Sequence, residues 1–324
     1  MRLLRLWLAL FLALGSGSYS STFAFSPLFI TAKAAARANA ADRTTASLSA
    51  AGGDSTPPSP ASTVPNAVNL KVVLLQKIRE LRELKERDGD LSIDFGVKGG
   101  ELDKESRSPQ KVNFYSISKD VGSKADEVVS ICKWLAKVSP TEEPTKYLGD
   151  EINGDLAPLN GPWKLLFTTA ADASFSKNST RGSAKAQNVV NATAGIITNI
   201  IDFDDKEDGT EPTLKQLNVV IGAKADGAKR VALNFRYAKA VFTRLFFWKV
   251  KWSLYIPVPA AFITRCIVLF SRLFRFGRKS AKKVPKAYFD VLYLDDELRV
   301  HQTGEDNIFV QAREEWGAAR PLLQ

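Results

Sequence analysis

The densest group of ionisable side chains is Asp295-Asp296-Glu297, followed closely by Arg299 and His301. Acid–base catalysis by such a group would need two carboxylates in a cleft with their pKa values driven apart. Three consecutive acids between two alternating apolar runs fit a turn better, with an ion pair to Arg299 stabilising the hairpin. His301 is the only histidine in 324 residues, which argues against His-based metal centres and His-dependent catalysis. Cys132 and Cys266 lie far apart, in no CxxC or metal-ligand spacing, and read as two unpaired thiols. No Ser/His/Asp arrangement, glycine-rich phosphate loop or zinc spacing is present. The expectation is a chain with no catalytic residue, no metal and no cofactor.

Two other groups could act by binding. Trp163, Phe167, Phe235, Tyr237 and Tyr293 lie on segments that alternate like strands. In a packed sandwich they are core. In a small barrel with an open mouth, inward aromatics line a pocket for an apolar ligand, and Arg299 joins them as a pocket candidate. The second group is basic. The net charge is +10, yet residues 227–289 hold fifteen Lys or Arg and no acid, so the rest of the chain is net acidic. A local basic surface needs a local explanation.

Within that block Phe246, Phe247, Trp248, Trp252 and Tyr255 interleave with Lys249 and Lys251, and Pro257 and Pro259 end the strand. From Ala260 onward, a turn of about 100° per residue puts Ile263, Ile267, Phe270, Phe274 and Ala281 on one face. Arg265, Arg272, Lys279 and Lys283 fall opposite, with Arg275 close by. A transmembrane span is disfavoured, because Arg265 near its centre would cost about 2.5–3.5 kcal/mol. A basic face opposite a Phe/Ile face suits a helix in a bilayer interface, with Trp248 and Trp252 beside it. The alternatives are a helix that covers the sheet with its basic face in water, and a phosphate-backbone site for nucleic acid. Segregation of Phe and Ile from Arg and Lys favours the membrane, and nucleic acid is not expected as a partner.

Strands must hold the candidate pocket. Residues 287–313 read as three antiparallel strands. Phe289, Val291 and Tyr293 alternate with Asp290, Leu292 and Leu294. After the acidic turn, Leu298, Val300 and Gln302 share one side, with Arg299 and His301 on the other. Gly304-Glu305-Asp306-Asn307 is a second turn, and Ile308 to Gln311 return. Further alternating runs cover 159–169, 187–203, 214–221 and 230–237, giving about eight or nine strands and suggesting an antiparallel barrel. Two helices precede them. The first runs over 68–87 with Val68, Val72, Leu75, Ile78 and Leu81 at helical spacing and Gly89 as a stop. The second begins with Ser123 as N-cap, turns Val128, Val129, Ile131, Cys132 and Leu135 inward, and ends before Pro140. Between them, 89–119 is polar and glycine-containing, a loop with short extended pieces.

The N-terminus carries addressing signals. Residues 1–24 have Arg2 and Arg5, a short apolar run from Leu6 to Leu14 and small residues after it, the pattern of a signal peptide. Residues 25–66 continue with an Ala- and Arg-rich stretch typical of transit peptides and a Ser/Thr/Pro/Ala/Gly linker. With Ala24-Phe25-Ser26-Pro27 at the junction, this resembles the bipartite presequence of proteins sent to complex plastids in secondary algae. The folded domain is expected over 67–315, with 316–324 as a tail.

Tyr293-Leu294-Asp295-Asp296-Glu297-Leu298-Arg299-Val300, then Gly304 and Ile308-Phe309-Val310, resembles the C-terminal signature of the plastid lipid-associated proteins, the fibrillins. An extra acid sits in the turn, and His301-Gln302 replaces a short polar-Arg-Gly run. Leu159-Asn160-Gly161-Pro162-Trp163-Lys164-Leu165-Leu166-Phe167-Thr168-Thr169 resembles the opening strand of that family. Gln187, Gly195, residues 199–203 and 230–237 resemble its middle strands. The resemblance implies a lipocalin-like antiparallel barrel; with the two helices before it and the basic amphipathic helix before the last strands, the expected fold is mainly β, α+β. It implies a non-enzymatic role, holding or shielding a prenylquinone, carotenoid or acyl lipid as a peripheral protein at thylakoid or plastoglobule surfaces. An enzyme acting on a lipid, or an accessory to one, is the alternative, and it needs a site the chain does not advertise.

Overall fold

The structure is a computed structural model that describes residues 66–91, 110–175, 182–205, 208–244, 250–257 and 287–323. The first helix, α1 (Ala67–Asp88), starts at Asn66, whose side chain accepts from the Val68 amide, and ends at Gly89 with φ 102°. It buries Leu70, Leu74, Leu75, Ile78 and Leu81, and leaves Val68 and Val72 exposed. The buried face is thus rotated from the expected one, because Lys71 lies within it and is drawn to acids on the sheet. The second helix, α2 (Lys119–Lys137), is capped by Ser118, whose hydroxyl accepts from the Val121 amide at 3.1 Å. The expected cap, Ser123, lies one turn inside it. Val128, Cys132 and Leu135 are buried as expected, while Val129 and Ile131 are only partly so. Among its described residues, the intervening segment contributes a bridge of Lys111 with Ala170 and a 3-10 turn at Phe114–Ser116.

Among the described residues nine strands follow: β1 (Gly161–Thr168), β2 (Ala184–Asn191), β3 (Ile196–Phe203), β4 (Leu214–Ala225), β5 (Arg230–Phe242), β6 (Trp252–Pro257), β7 (Ala287–Leu294), β8 (Leu298–Thr303) and β9 (Ile308–Ala312). All pairings are antiparallel. Strands β1 to β5 pair in sequence, β5 pairs with β7, and β7, β8 and β9 lead back to β1. The pairings therefore close into a ring of eight strands, consistent with the expected lipocalin-like α+β fold. Strand β6 pairs with the second half of β5, along Tyr237 to Phe242, while β7 takes the first half, Arg230 to Leu233.

Each strand of the ring has an inner and an outer face. On the outer face of β7, β8, β9 and β1, the residues Tyr293, Leu298, Val300, Ile308, Val310, Ala312 and Phe167 pack against α1 and α2. Trp316, Ala319 and Leu322 belong to the same cluster, so the boundary drawn at 315 cuts through a packed segment. On the inner face Trp163, Val190, Ile197, Ala223, Val231, Phe289, Val291 and Leu294 form a second cluster, closed by Leu148, Ala157 and Leu159 from the segment before β1. Burial of two separate apolar faces accounts for the run Leu298-Arg299-Val300-His301, in which four successive side chains are all buried.

Among the register shifts between strands, one lies at the start of the β4–β5 pairing between Leu214 and Gln216, and three more break the alternation of the wall. These three fall between Leu165 and Phe167, between Val220 and Ile221 in the β4–β5 register, and between Val291 and Tyr293. An extra residue turns the next side chain to the opposite face.

Candidate functional site

Strand register puts Trp163 and Leu165 (β1), Asn188 and Val190 (β2), Ile197, Asn199 and Ile201 (β3), and Leu217, Val219 and Ile221 (β4) on the inner face. Phe235 on β5, Phe289 and Val291 on β7, Arg299 and His301 on β8, and Phe309 and Gln311 on β9 complete it. Among the described residues no Asp or Glu falls on this face. Asn199, Ile201, Leu217, Val219 and Phe235 are only half-buried. One end of the ring is therefore filled, and the wall beyond it is within reach of solvent.

Arg299 is fully buried. Its Nε donates to Gln311 Oε1 at 2.9 Å, and its Nη2 donates to the same oxygen and to Asn188 Oδ1. Asn188 in turn donates to Asn199. Nη1 of Arg299 is buried without a hydrogen-bond partner. The guanidinium carbon lies 5.1 Å from the centre of the Trp163 ring, and that of Arg313 lies 3.8 Å from it. Arg313 reaches this position because Gly161, at φ 97°, has no Cβ. A Cβ there would stand 2.5 Å from Arg313 Nη1. Trp163 is held by its own Nε1 donating to the Leu159 carbonyl at 2.9 Å. Burial pulls the Arg299 guanidinium down to about 9, with the Arg313 charge adding to the effect.

His301 stacks on Phe309 at 4.9 Å, nearly parallel, and lies 4.6 Å from the Phe289 ring. Its Nδ1 is buried without a partner. Burial holds the imidazole well below 6.5, and the Arg299 charge lowers it further. The only histidine of the chain is thus a neutral member of the inner wall.

Strands β1 and β2 pair only from Gly161 to Lys164, then separate. A cavity of about 390 Å³ opens at this split. Its lining runs from Ile78, Leu81 and Phe167 outside to the inward-facing Leu165, Ala184 and Ala186. Arg82 of α1, also in the lining, donates to the Leu166 carbonyl at 3.3 Å and the Leu322 carbonyl at 2.8 Å, covering backbone that β2 leaves unpaired.

The pocket candidates therefore divide. Trp163 and Arg299 are in contact inside the ring, and Phe235 shares their face. Phe167 lines the cavity at the split and stacks on Phe114 at 5.9 Å. The bulge in the β4–β5 register turns Tyr237 to the outer surface, where it meets Tyr255 at 6.0 Å. The bulge before Tyr293 turns that ring onto the helix-covered face, where its hydroxyl donates to Asp295 Oδ2 at 2.6 Å. Asn188, Asn199, Gln311 and Arg313 were not legible as site residues, since only the strand register brings them to Trp163. Of the membrane-surface candidates, Trp252 is half-buried and stacks on Phe242 at 4.6 Å. Trp248, Ile263, Arg265, Ile267, Phe270, Arg272, Phe274, Lys279 and Lys283 lie outside the described residues.

The acidic turn is a structural tie. Lys71 Nζ bridges Asp295 Oδ2 at 2.8 Å and Glu297 Oε2 at 2.5 Å, fastening α1 to the β7–β8 hairpin. Lys71 is therefore the ion-pair partner, and Arg299 points to the other face. Burial alone would raise the Asp295 carboxyl, but hydrogen bonds from Lys71, Tyr293 and the Glu297 and Leu298 amides outweigh it and hold the carboxyl low. Burial and the Asp295 carboxylate push the Tyr293 phenol up. Two of the three turn carboxylates, Asp295 and Glu297, are thus tied to one lysine, an arrangement that anchors rather than one that divides acid from base.

The PAP_fibrillin family model matches residues 116–312, well over half the chain, which leaves α1 outside the match. No curated protein and no solved structure matches the chain. The matched segment holds the whole ring, including Trp163 and the acidic turn with Arg299 behind it. The chain belongs to the plastid lipid-associated protein, or fibrillin, family.

Proposed function

We propose that the chain is a non-enzymatic lipid-holding protein whose ring shields the apolar part of an isoprenoid or acyl lipid at thylakoid or plastoglobule surfaces. The observation that carries this reading is the split between β1 and β2. Its cavity of about 390 Å³ falls in the size range of small-molecule sites and runs from the outer surface to inward-facing Leu165, Ala184 and Ala186. Beyond it the half-buried Ile201, Leu217, Val219 and Phe235 offer an apolar wall. Filling the split tests the reading. Ala186→Trp should lower retention of a fluorescent apolar probe by the full chain without loss of cooperative unfolding, and unchanged retention would remove the split as the way in.

Docking to the lipid surface is assigned to the basic block. Support comes from its described edge, where Tyr255, Tyr237 and Val250 are exposed and Lys239 Nζ lies 5.5 Å from the Tyr255 ring. Aromatic rings beside lysines on an edge strand suit the water–lipid boundary, apolar body inward and polar tip outward. In this proposal the sequence of residues 258–286, with its Phe/Ile and Arg/Lys residues at helical spacing, supplies the rest of the docking surface. Among the described residues no helix is long and apolar enough to cross a membrane. The family implies a plastid location, reached in this proposal through the bipartite presequence.

A further inference from the structure

We infer that the amphiphile held in the ring carries an anionic headgroup, a carboxylate or a phosphate, that pairs with Arg299 while its apolar chain lies along the inner wall. The inference rests on the lipid-holding reading above and narrows its ligand class. Arg299 has no exposed surface, and only neutral amide oxygens, from Gln311 and Asn188, accept its hydrogen bonds. Its Nη1 is buried and unpartnered. Among the described residues no carboxylate pairs with it, and the strand register places no Asp or Glu anywhere on the inner face.

A second charge, Arg313, also positive, lies over the same Trp163 ring. A buried cation without a counter-charge is costly, and a structure that keeps one next to a second cation gains most from an anion brought in by a ligand. A guanidinium suits this task because its planar fork matches carboxylate and phosphate oxygens. The rest of the wall, Ile201, Leu217, Val219 and Phe235, is apolar and half-buried, as a chain-binding surface would be. Gln311 and Asn188 accept from the cation and Asn188 donates on to Asn199, so amide N–H groups of this chain lie close enough to join Arg299 at the same headgroup.

The test is a headgroup series at constant chain. Oleate, oleoyl lysophosphatidate and oleyl alcohol are titrated, below aggregation, into the delipidated full chain by calorimetry near neutral pH. Oleate or lysophosphatidate should bind at least about tenfold more tightly than the alcohol, which corresponds to one charge-assisted pairing, and the tighter of the two identifies carboxylate or phosphate as the source. In Arg299→Gln the anions should fall to the affinity of the alcohol, and Arg299→Lys should restore part of the preference. If Arg299→Gln fails to fold, the series on the unaltered protein decides alone. Equal affinity for all three would overturn the headgroup while leaving lipid binding in place. Binding of none would overturn the lipid-holding reading, and the inference with it.

Discussion

The burial of His301 has a consequence that one substitution isolates. In the unfolded chain the imidazole titrates near its ordinary 6.5, while in the ring it is held well below that value by burial and by the Arg299 charge. Between the two values the unfolded state binds a proton that the native state refuses, so stability falls as pH falls below the unfolded pKa. From about pH 7 to about pH 5 one such group removes about 2 kcal/mol, or about 4–8 °C in melting temperature for a body of this size. The window is clean. Asp88, Glu127 and Asp295 are held below their ordinary 3.8 to 4.5, so their stabilising effect is present above that range and is lost only as pH falls further. No other histidine exists in the chain. The assay is urea unfolding of the full chain, followed by tryptophan fluorescence across this pH range, for the unaltered protein and for His301→Phe, which keeps the stack between Phe289 and Phe309. The variant should lose the slope. A slope that survives the substitution, or an imidazole proton resonance that titrates near its ordinary value in the native state, would show that His301 meets water and that the inner face of β8 is wrongly assigned.

Trp163→Ala should destabilise by about 3–5 kcal/mol in denaturant titrations, since the ring is fully buried and its N–H is bonded to Leu159. A loss under about 1 kcal/mol would place Trp163 against empty space. Lys71→Met leaves Asp295 without its counter-ion and should cost about 1.5–3 kcal/mol near neutral pH. Because the Asp295 pKa is depressed in the fold, that cost should shrink only as pH falls below the ordinary 3.8, and a cost independent of pH would mean that Lys71 acts by packing alone. For the basic block, Phe270→Ser with Phe274→Ser should weaken flotation with anionic liposomes at every salt concentration. Arg265→Gln with Arg272→Gln should weaken it mainly at low salt, where each basic residue contributes roughly 1 kcal/mol. Silence of the Phe pair would assign that face to packing within the protein.

The strands were legible because one-sided burial leaves alternation in the sequence, and β1, β5, β7, β8 and β9 fall where the alternation and the family resemblance put them. The facing of individual side chains was less legible. A bulge adds one residue without changing composition, so Tyr237 and Tyr293, grouped with Trp163 as pocket candidates, are turned away from its face by bulges at Val220/Ile221 and Val291/Tyr293. The alternation of Leu298 and Val300 against Arg299 and His301 was correct. What hid their burial on both sides is that α1 and α2 cover the outer face, a long-range fact. The partner of the acidic turn was missed for the same reason: Lys71 is more than two hundred residues away in sequence. Ser118 and Ser123 both precede helix-compatible residues, and local pattern does not choose between them. The split between β1 and β2 depends on where pairing stops, which no residue type announces.

The central claim is that the ring holds a lipid reached through the β1–β2 split and paired at Arg299. Its most direct test is mass spectrometry of lipid that co-purifies with the full chain, compared with Ala184→Trp plus Ala186→Trp and with Arg299→Gln. The account predicts near-stoichiometric lipid enriched in anionic amphiphiles, most of it lost when the split is filled and the anionic enrichment lost without Arg299. A chain that carries no lipid, or the same lipid in the same amount in all three proteins, would contradict it.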